Sequence, residues 1–357
     1  MLYPVRSVHV LMIAAATLAA VSADAQTVSP TNSAPNPYRT IEGFGQMPDG
    51  RIWGSTAGVD IDRDGSSIWV AERCGAQGFI PPSQMREGEI FNCDGSNLDP
   101  ILKFDASGKL VKAFGAGMFV FPHGLHVDFE GNVWVTDGVG RGMKGQTVHK
   151  FSPDGKLLMT LGTPGKSGDG PNEFNAPSAV LVAPNGNIFV ADGHGGNTNA
   201  RIVKFSRDGK FIKTWGKKGS APGEMDGPHT LAMDSQGRLF LGDRGNNRIQ
   251  IFDQDGKYLA TWHQFGMPSG LAFSANDEDL VYVFDSESDN VDNPGFEQGI
   301  RIGDALNGWV RYFILDQGGN PATGTGSGPE FGTVDKYGNI FAGEPRPRIL
   351  RKYVKVR

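Results

Sequence analysis

The sequence predicts an all-β fold, a six-bladed β-propeller with four-stranded blades, and three observations predict it. One strand–turn motif recurs at intervals of 40 to 61 residues, measured between the leading prolines Pro122, Pro177, Pro228, Pro268 and Pro329. Four short strands per interval of ~40–55 residues is the signature of propeller blades. Glycine supplies 51 of 357 residues, roughly twice the usual share, which disfavours a helical bundle. The two ends of the chain hold complementary fragments of one motif.

The motif is a Pro-led strand, a Gly-Asn-type turn, a hydrophobic strand ending in an acid, a Lys-Phe strand, an Asp-Gly turn and a last strand. Phe121–Leu125, Gly131–Asp137, His149–Lys156 and Leu158–Gly162 make one copy. The next has Pro177, Gly186–Asp192, Val203–Phe205, Asp208–Lys210 and Thr214–Gly216. Another has Pro228, Gly237–Asp243, Gln250–Phe252 and Asp255–Lys257. A divergent first copy runs from Thr56 through Ile68–Glu72 to Leu102–Phe104. The last copy, Gly338–Glu344 and Ile349–Tyr353, stops one strand short, while Arg39–Gly45 reads as a fourth strand without its first three. The N-terminal strand is therefore expected to complete blade six and close the ring, removing two exposed sheet edges. Gly75–Leu98 and Ser286–Asn307 read as insertions between strands, and loops this long are usually functional or mobile.

Residues 1–25 read as a secretory leader: Arg6, an apolar stretch Val10–Val21, and Ala23-Asp24-Ala25 as the small-x-small cleavage site. The stretch is too short to span a bilayer. Residues 26–37 read as a linker and 38–357 as the propeller. The mature protein is expected to be periplasmic or secreted and monomeric. Cys74 and Cys93 are the two cysteines; in an oxidising compartment they are expected to form one disulfide worth roughly 3 kcal/mol, a free thiol being the other reading. With 34 Lys+Arg against 39 Asp+Glu and no long basic run, the chain carries neither a nucleic-acid footprint nor a polybasic membrane anchor.

Chemistry belongs where the blades converge. The residue after each leading proline starts an innermost strand at the channel mouth: Ala57, His123, Ser178, His229, Ser269 and Glu330. Sixfold pseudosymmetry sets His123, His229 and Glu330 about 120° apart on alternate blades. Two imidazoles and a carboxylate facing one point make a three-ligand metal site with an open position; the plainer reading is three polar residues lining a wet channel. Asp137, Asp192 and Asp243 recur at one blade position, which argues for bonding the turn backbone. Arg73 and Arg244 follow such acids, each as a bidentate carboxylate anchor or as a salt bridge to its neighbour. His194, in the loop Gly193–Asn197, is a general base or an exposed loop histidine. His126 is expected to pack in or beside a blade, His149 and His263 to be structural, and Asn246-Asn247 to be turn chemistry.

These residues carry a resemblance. The repeats look like NHL repeats, and Phe121-Pro122-His123-Gly124-Leu125, Gly131–Asp137, Pro228-His229 and Asp243-Arg244 with Arg248-Ile249-Gln250 resemble the peptidyl-α-hydroxyglycine α-amidating lyase family. The likeness runs from about Thr56 to Tyr353. It implies a six-bladed propeller with zinc that cleaves a carbinolamide C–N bond to an amide and glyoxylate, on a small-molecule or C-terminal peptide substrate. It implies His123 and His229 as zinc ligands and Arg73 and Arg244 as active-site arginines. Three positions depart from the family pattern. The third ligand histidine falls on Glu330, which makes the site one charge less positive and a weaker Lewis acid. The catalytic tyrosine falls on His194, lowering the ordinary pKa of the base from ~10 to ~6.5. An aspartate that helps hold a structural calcium falls on Phe331, which counts against that ion; its backbone partners fall near Val59 and Leu125. Two rival readings remain: a hydrolase of the gluconolactonase propeller type with a divalent cation held by carboxylates and Asn, and a non-catalytic NHL propeller binding a peptide, glycan or protein.

Overall fold

In the computed structural model, which describes residues 29–48, 50–75, 92–274, 279–316 and 328–356, the motif folds as its turns dictate. The Asp-Gly turns place Gly155, Gly209 and Gly256 at φ of 83°, 78° and 82°, a conformation that costs glycine little and other residues much. The second strand of each blade is largely hydrophobic up to a closing acid and buried throughout, as in Val133–Asp137, Ile188–Asp192 and Leu239–Asp243.

Six four-stranded antiparallel sheets result. Blade one is Thr56–Ile61, Ile68–Glu72, Ile101–Phe104 and Leu110–Phe114. Blade two begins with Pro122–Val127, blade three with Pro177–Val182 and blade four with Pro228–Met233. Blade five is Gly270–Phe273, Leu280–Asp285, Gly299–Asp304 and Val310–Leu315. Its third strand lies inside the stretch Ser286–Asn307 expected as an insertion, pairing Asp285 with Gly299 and Leu280 with Asp304. The inserted loop is thus Ser286–Gln298; Gly299–Asp304 lacks both the Lys-Phe pair that marks this strand in blades one to three and any closing aromatic residue such as Phe252 in blade four or Tyr353 in blade six.

Blade six takes Phe331–Val334, Ile340–Glu344 and Ile349–Lys355 from one end of the chain and Tyr38–Ile41 from the other. Tyr38 faces Lys355 and Ile41 faces Lys352 in an antiparallel pair. The ring is closed as expected. Just before that strand, Arg301 of blade five bonds Thr31 Oγ1 at 3.0 Å and Asn32 Oδ1 at 2.7 Å. The expected leader lies outside the described residues, as does most of Gly75–Leu98. The Cys74–Cys93 disulfide is present.

The core sits between neighbouring blades. One cluster joins Phe189 and Ile202 of blade three to Leu239, Leu241 and Phe252 of blade four; another joins Tyr282 and Ile300 of blade five to Ile340 and Tyr353 of blade six. Apolar contact across each gap makes the ring rigid enough to hold side chains from different blades at fixed separations.

Candidate metal centre

A β-bulge creates the pointing positions of blades one to four, whereas Glu330 stands just before the unbulged strand Phe331–Val334. In blade four Pro228 pairs with Asp243 and Thr230 with Gly242, leaving His229 without a cross-strand partner. The pairing skips Ser178 in blade three, His123 and Gly124 in blade two, and Ala57 and Gly58 in blade one. A bulge re-aims a side chain out of the pleat, and here it turns the imidazoles toward the axis.

The next blade then fixes each ring. His123 Nδ1 lies 2.8 Å from the Ser178 carbonyl oxygen and His229 Nδ1 2.6 Å from that of Ser269. A carbonyl only accepts, so each Nδ1 carries the proton and each Nε2 presents a lone pair. This is the outer-shell arrangement that orients metal-binding histidines. Gly124 makes it possible: a Cβ there would stand 2.4 Å from the Ser178 carbonyl oxygen.

Both Nε2 atoms stand 3.4 Å from Glu330 Oε1. His194 joins them, its Nε2 3.1 Å from His123 Nε2. One donor atom from each of His123, His194, His229 and Glu330 falls within 4.8 Å of the others. The edges of a tetrahedron with the 2.0–2.1 Å arms of zinc are about 3.3 Å long, close to the separations observed. Two buried atoms of the cluster, His229 Nε2 and Glu330 Oε2, have no hydrogen-bond partner among the described residues. Orphaned buried donors and acceptors are rare and call for an explanation, and this nitrogen–oxygen set suits zinc.

Electrostatics agree. Burial, with the charges of Arg244 and His123, pushes His229 down to about 3. Burial, His123 and Arg244 hold His194 well below its ordinary value. Burial opposes ionisation of Glu330, but the contacts with His123 and His229 and the charge of Arg73 outweigh it and hold the carboxyl well below its usual range. The imidazoles of His194 and His229 are thus held neutral beside an ionised Glu330.

The arginines differ. Arg73 is 4% exposed. It stacks 3.9 Å from the Phe121 ring, bonds Ser55 Oγ at 3.1 Å and reaches to 3.8 Å from Glu330 Oε2. Arg244 Nη1 faces Glu287 Oε1 at 3.9 Å. Neither forms an ion pair with the acid beside it in sequence among the described residues, because other arginines do. Arg51 takes Glu72 at 2.7 Å, Arg201 takes Asp192 at 2.7 Å, Arg248 takes Asp243 at 2.7 Å and Arg351 takes Glu344 at 2.6 Å. The recurring acids also accept backbone N–H groups, from Val120 and Phe121 to Asp137, from Asn175 to Asp192 and from Asp226 to Asp243. Blade two has Thr147 opposite Asp137 where Arg201 and Arg248 stand in blades three and four. Without that guanidinium, burial pushes Asp137 up to about 7.

The remaining candidates fall away from the centre. His126 Nδ1 lies 3.2 Å from Asp60 Oδ2, His149 is buried between Thr147 and Thr160, and His263 is exposed. Asn246 caps Asp243 Oδ2 and the Gly219 carbonyl. Phe331 packs beneath the cluster, its ring 5.3 Å from those of His123 and His229, and offers no oxygen where the family's calcium would need one.

His123, His194 and Glu330 line the floor of a cavity of about 920 Å³, with His229 buried behind them, and its walls include Arg73, Arg244, Glu287, Arg346 and Arg348. The structure brings together His123, His229 and Glu330, the three residues the sequence singled out at the mouth, and puts His194, read as a general base or an exposed loop histidine, in contact with them; Glu287, Arg346 and Arg348 were missed. The carbonyls of Ser178 and Ser269 sit at the same mouth positions, a signal that was readable.

The NHL repeat family model matches residues 225–252. The chain carries an NHL repeat and resembles the amidating lyases. It is 44% identical over 115 residues to peptidyl-alpha-hydroxyglycine alpha-amidating lyase 1 of Drosophila melanogaster, covering 31% of this chain and 20% of that protein. It is 33% identical over 199 residues to a probable lyase of the same name in Caenorhabditis elegans, covering 54% of each. It is also 37% identical over 214 residues to human NHL repeat-containing protein 3, covering 58% of this chain and 54% of that protein. The matched segments span about half of these relatives' length or less. Among solved structures, a putative gluconolactonase aligns with a TM-score of 0.55 at 14% identity, over 91% of this chain and 93% of its own. A streptogramin B lyase aligns with 0.53 at 13% identity, over 89% and 97%. Likeness at that identity shows the propeller alone.

Proposed function

We propose that this chain is a metal-dependent lyase that cleaves the C–N bond of an α-hydroxyglycine-type carbinolamide, giving an amide and glyoxylate. The observation that carries it is the convergence of His123, His229 and Glu330, tautomers fixed, on one point at the floor of an arginine-lined cavity. The resemblance to the amidating lyases supplies the reaction class.

His123, His229 and Glu330 would hold zinc, which when bound supplies Lewis acidity toward the substrate hydroxyl. Arg73 keeps Glu330 ionised and in place from behind. Arg244 anchors the glycyl carboxylate, because its guanidinium borders the cavity and Arg73 is already engaged with Ser55 and Glu330. His194 takes the hydroxyl proton on Nε2. The C–O bond becomes a carbonyl, the C–N bond breaks, and the proton passes to the leaving amide nitrogen. Hydroxyl, base and leaving group then act within one walled site, which is where positioning contributes most. The protein is an exported monomer in this reading, and the disulfide fits that setting.

The test is direct. Protein purified without chelator is expected to hold about one zinc per chain and to release glyoxylate from α-hydroxyhippurate; metal bound without turnover overturns the substrate assignment. The human relative, named for its repeat alone, supports a second reading, a non-catalytic binding propeller, which predicts no bound metal.

A further inference from the structure

We infer that the cavity carries a second anion subsite, formed by Arg346 and Arg348, which selects substrates bearing a carboxylate on the acyl side as well as on the glycyl end. The inference rests on the lyase reading for the glycyl end and goes beyond it for the acyl end.

Charge in the cavity is the first argument. Its walls hold Arg73, Arg244, Arg346 and Arg348 against Glu287 and Glu330. Two positive charges remain unbalanced before any cation is counted. Arg73 is spent on Glu330 and Arg244 faces Glu287. One glycyl carboxylate at Arg244 answers one of those two charges and leaves one for a second anion at Arg346 and Arg348. Among the described residues no ion pair within 4.0 Å joins Arg346 or Arg348 to an acid; Arg346 acts on Glu287 only at longer range.

Placement is the second. Both residues sit on the turn between Ile340–Glu344 and Ile349–Lys355, the blade that also begins with Glu330. Arg346 is exposed at the rim and Arg348 half-buried. Arg348 has φ of +56°, a left-handed conformation that side-chain-bearing residues rarely adopt. Glycine would relieve it, yet the position carries a guanidinium that borders the cavity and touches the Gly75 carbonyl at 3.5 Å. Planar guanidinium groups recognise carboxylates through paired N–H bonds.

Size is the third. A 920 Å³ cavity lies near the top of the range for drug-sized ligands, far more than a hydroxyglycine unit fills. The acyl portion occupies the rest, and it meets Arg346 and Arg348 there. Its carboxylate comes from a dicarboxylic acyl group or from an acidic residue preceding the glycine.

Binding calorimetry with three unhydroxylated probes tests this on the full-length protein at low salt: N-acetylglycine, N-succinylglycine and N-acetyl-aspartyl-glycine. At least one of the doubly charged probes is expected to bind about tenfold or more tightly than N-acetylglycine, as two charge-assisted contacts allow. The one that does identifies the source of the carboxylate. The ratio is expected to collapse toward one in Arg346→Gln/Arg348→Gln and to persist largely in the double lysine variant. Should the glutamine variant fail to fold, the wild-type ratio decides alone, falling as salt is raised. A wild-type ratio near one, or a ratio that survives the glutamine variant, overturns the subsite. Glyoxylate release from α-hydroxyhippurate separates the two ideas. Turnover with a ratio of one sinks the subsite alone, while a preserved ratio without turnover sinks the lyase reading alone.

Discussion

The two mouths of the channel are lined by the same innermost strands and share almost nothing else. At one, the bulged strand starts present His123 and His229, and the residue before the first strand of blade six presents Glu330, beneath a polar, arginine-walled cavity. At the other, the later residues of those strands enclose a pocket of about 290 Å³ lined by Val59, Leu125, Leu181, Leu231, Leu271 and Phe331. Its polar side chains include Asp60, which pairs with His126 Nδ1 and accepts from the Val127 amide. Both mouths hold a histidine near a carboxylate. Only one has its histidine tautomers fixed by carbonyls of the next blade and its Nε2 atoms gathered on a single point. The difference teaches that the repeat builds the channel, and single positions at the bulges decide which end can do chemistry.

The largest effect should come from breaking the polar mouth. His229→Ala is expected to abolish tight metal binding, a loss exceeding the ~10–100-fold typical when only an outer-shell partner is removed. His126→Ala, at the apolar mouth, should leave the metal in place. Metal per chain after dialysis measures both, and equal losses would erase the distinction between the two ends.

A second substitution separates what the repeat does from what the site does. Asp243 accepts from Arg248, Asn246 and Gln250 and from the Asp226 amide. Asp243→Ala strands a buried guanidinium and should cost about 3–5 kcal/mol in denaturant unfolding, with the metal content of the folded fraction unchanged. Metal loss from a protein still folded would show that the structural acids also serve the centre.

The smallest effect is a pH dependence away from both mouths. Burial holds His149 down at about 4, against an ordinary value of 6.5. Below pH 6.5 the unfolded chain takes up a proton that the folded protein refuses. Stability is therefore full above that pH and falls toward pH 4, by up to about 3 kcal/mol. His149→Gln should flatten the slope of unfolding free energy between pH 6.5 and 4; an unchanged slope would place the sensitivity elsewhere.

The ring was legible because its signals are local. Pro122, Pro177 and Pro228 mark strand starts, Asp-Gly marks hairpins, and Arg39–Ile41 is a visible remainder that blade six lacks. The convergence of His123, His229 and Glu330 was legible for the same reason: equivalent positions in a repeat point the same way. Loop paths were not. Nothing in Gly193–Asn197 says that His194 folds back to within 3.1 Å of His123. Gly193, at φ of +142°, permits that path without announcing it. The third strand of blade five was hidden because Gly299–Asp304 replaces the usual apolar signature with glycine and Arg301. Arg301 is buried with Asp285 at 3.3 Å, an ion pair that only the fold makes affordable.

Closing the ring with both ends of the chain has a temporal consequence. Glu330 enters through the blade that cannot be finished until Ile349–Lys355 has left the ribosome and captured Tyr38–Ile41. His123 and His229 can be in place earlier, but their third companion arrives with the last act of assembly. In the proposed metal site, loading of a cation would therefore wait for blade six, and a chain lacking that blade would carry the imidazoles without the carboxylate between them.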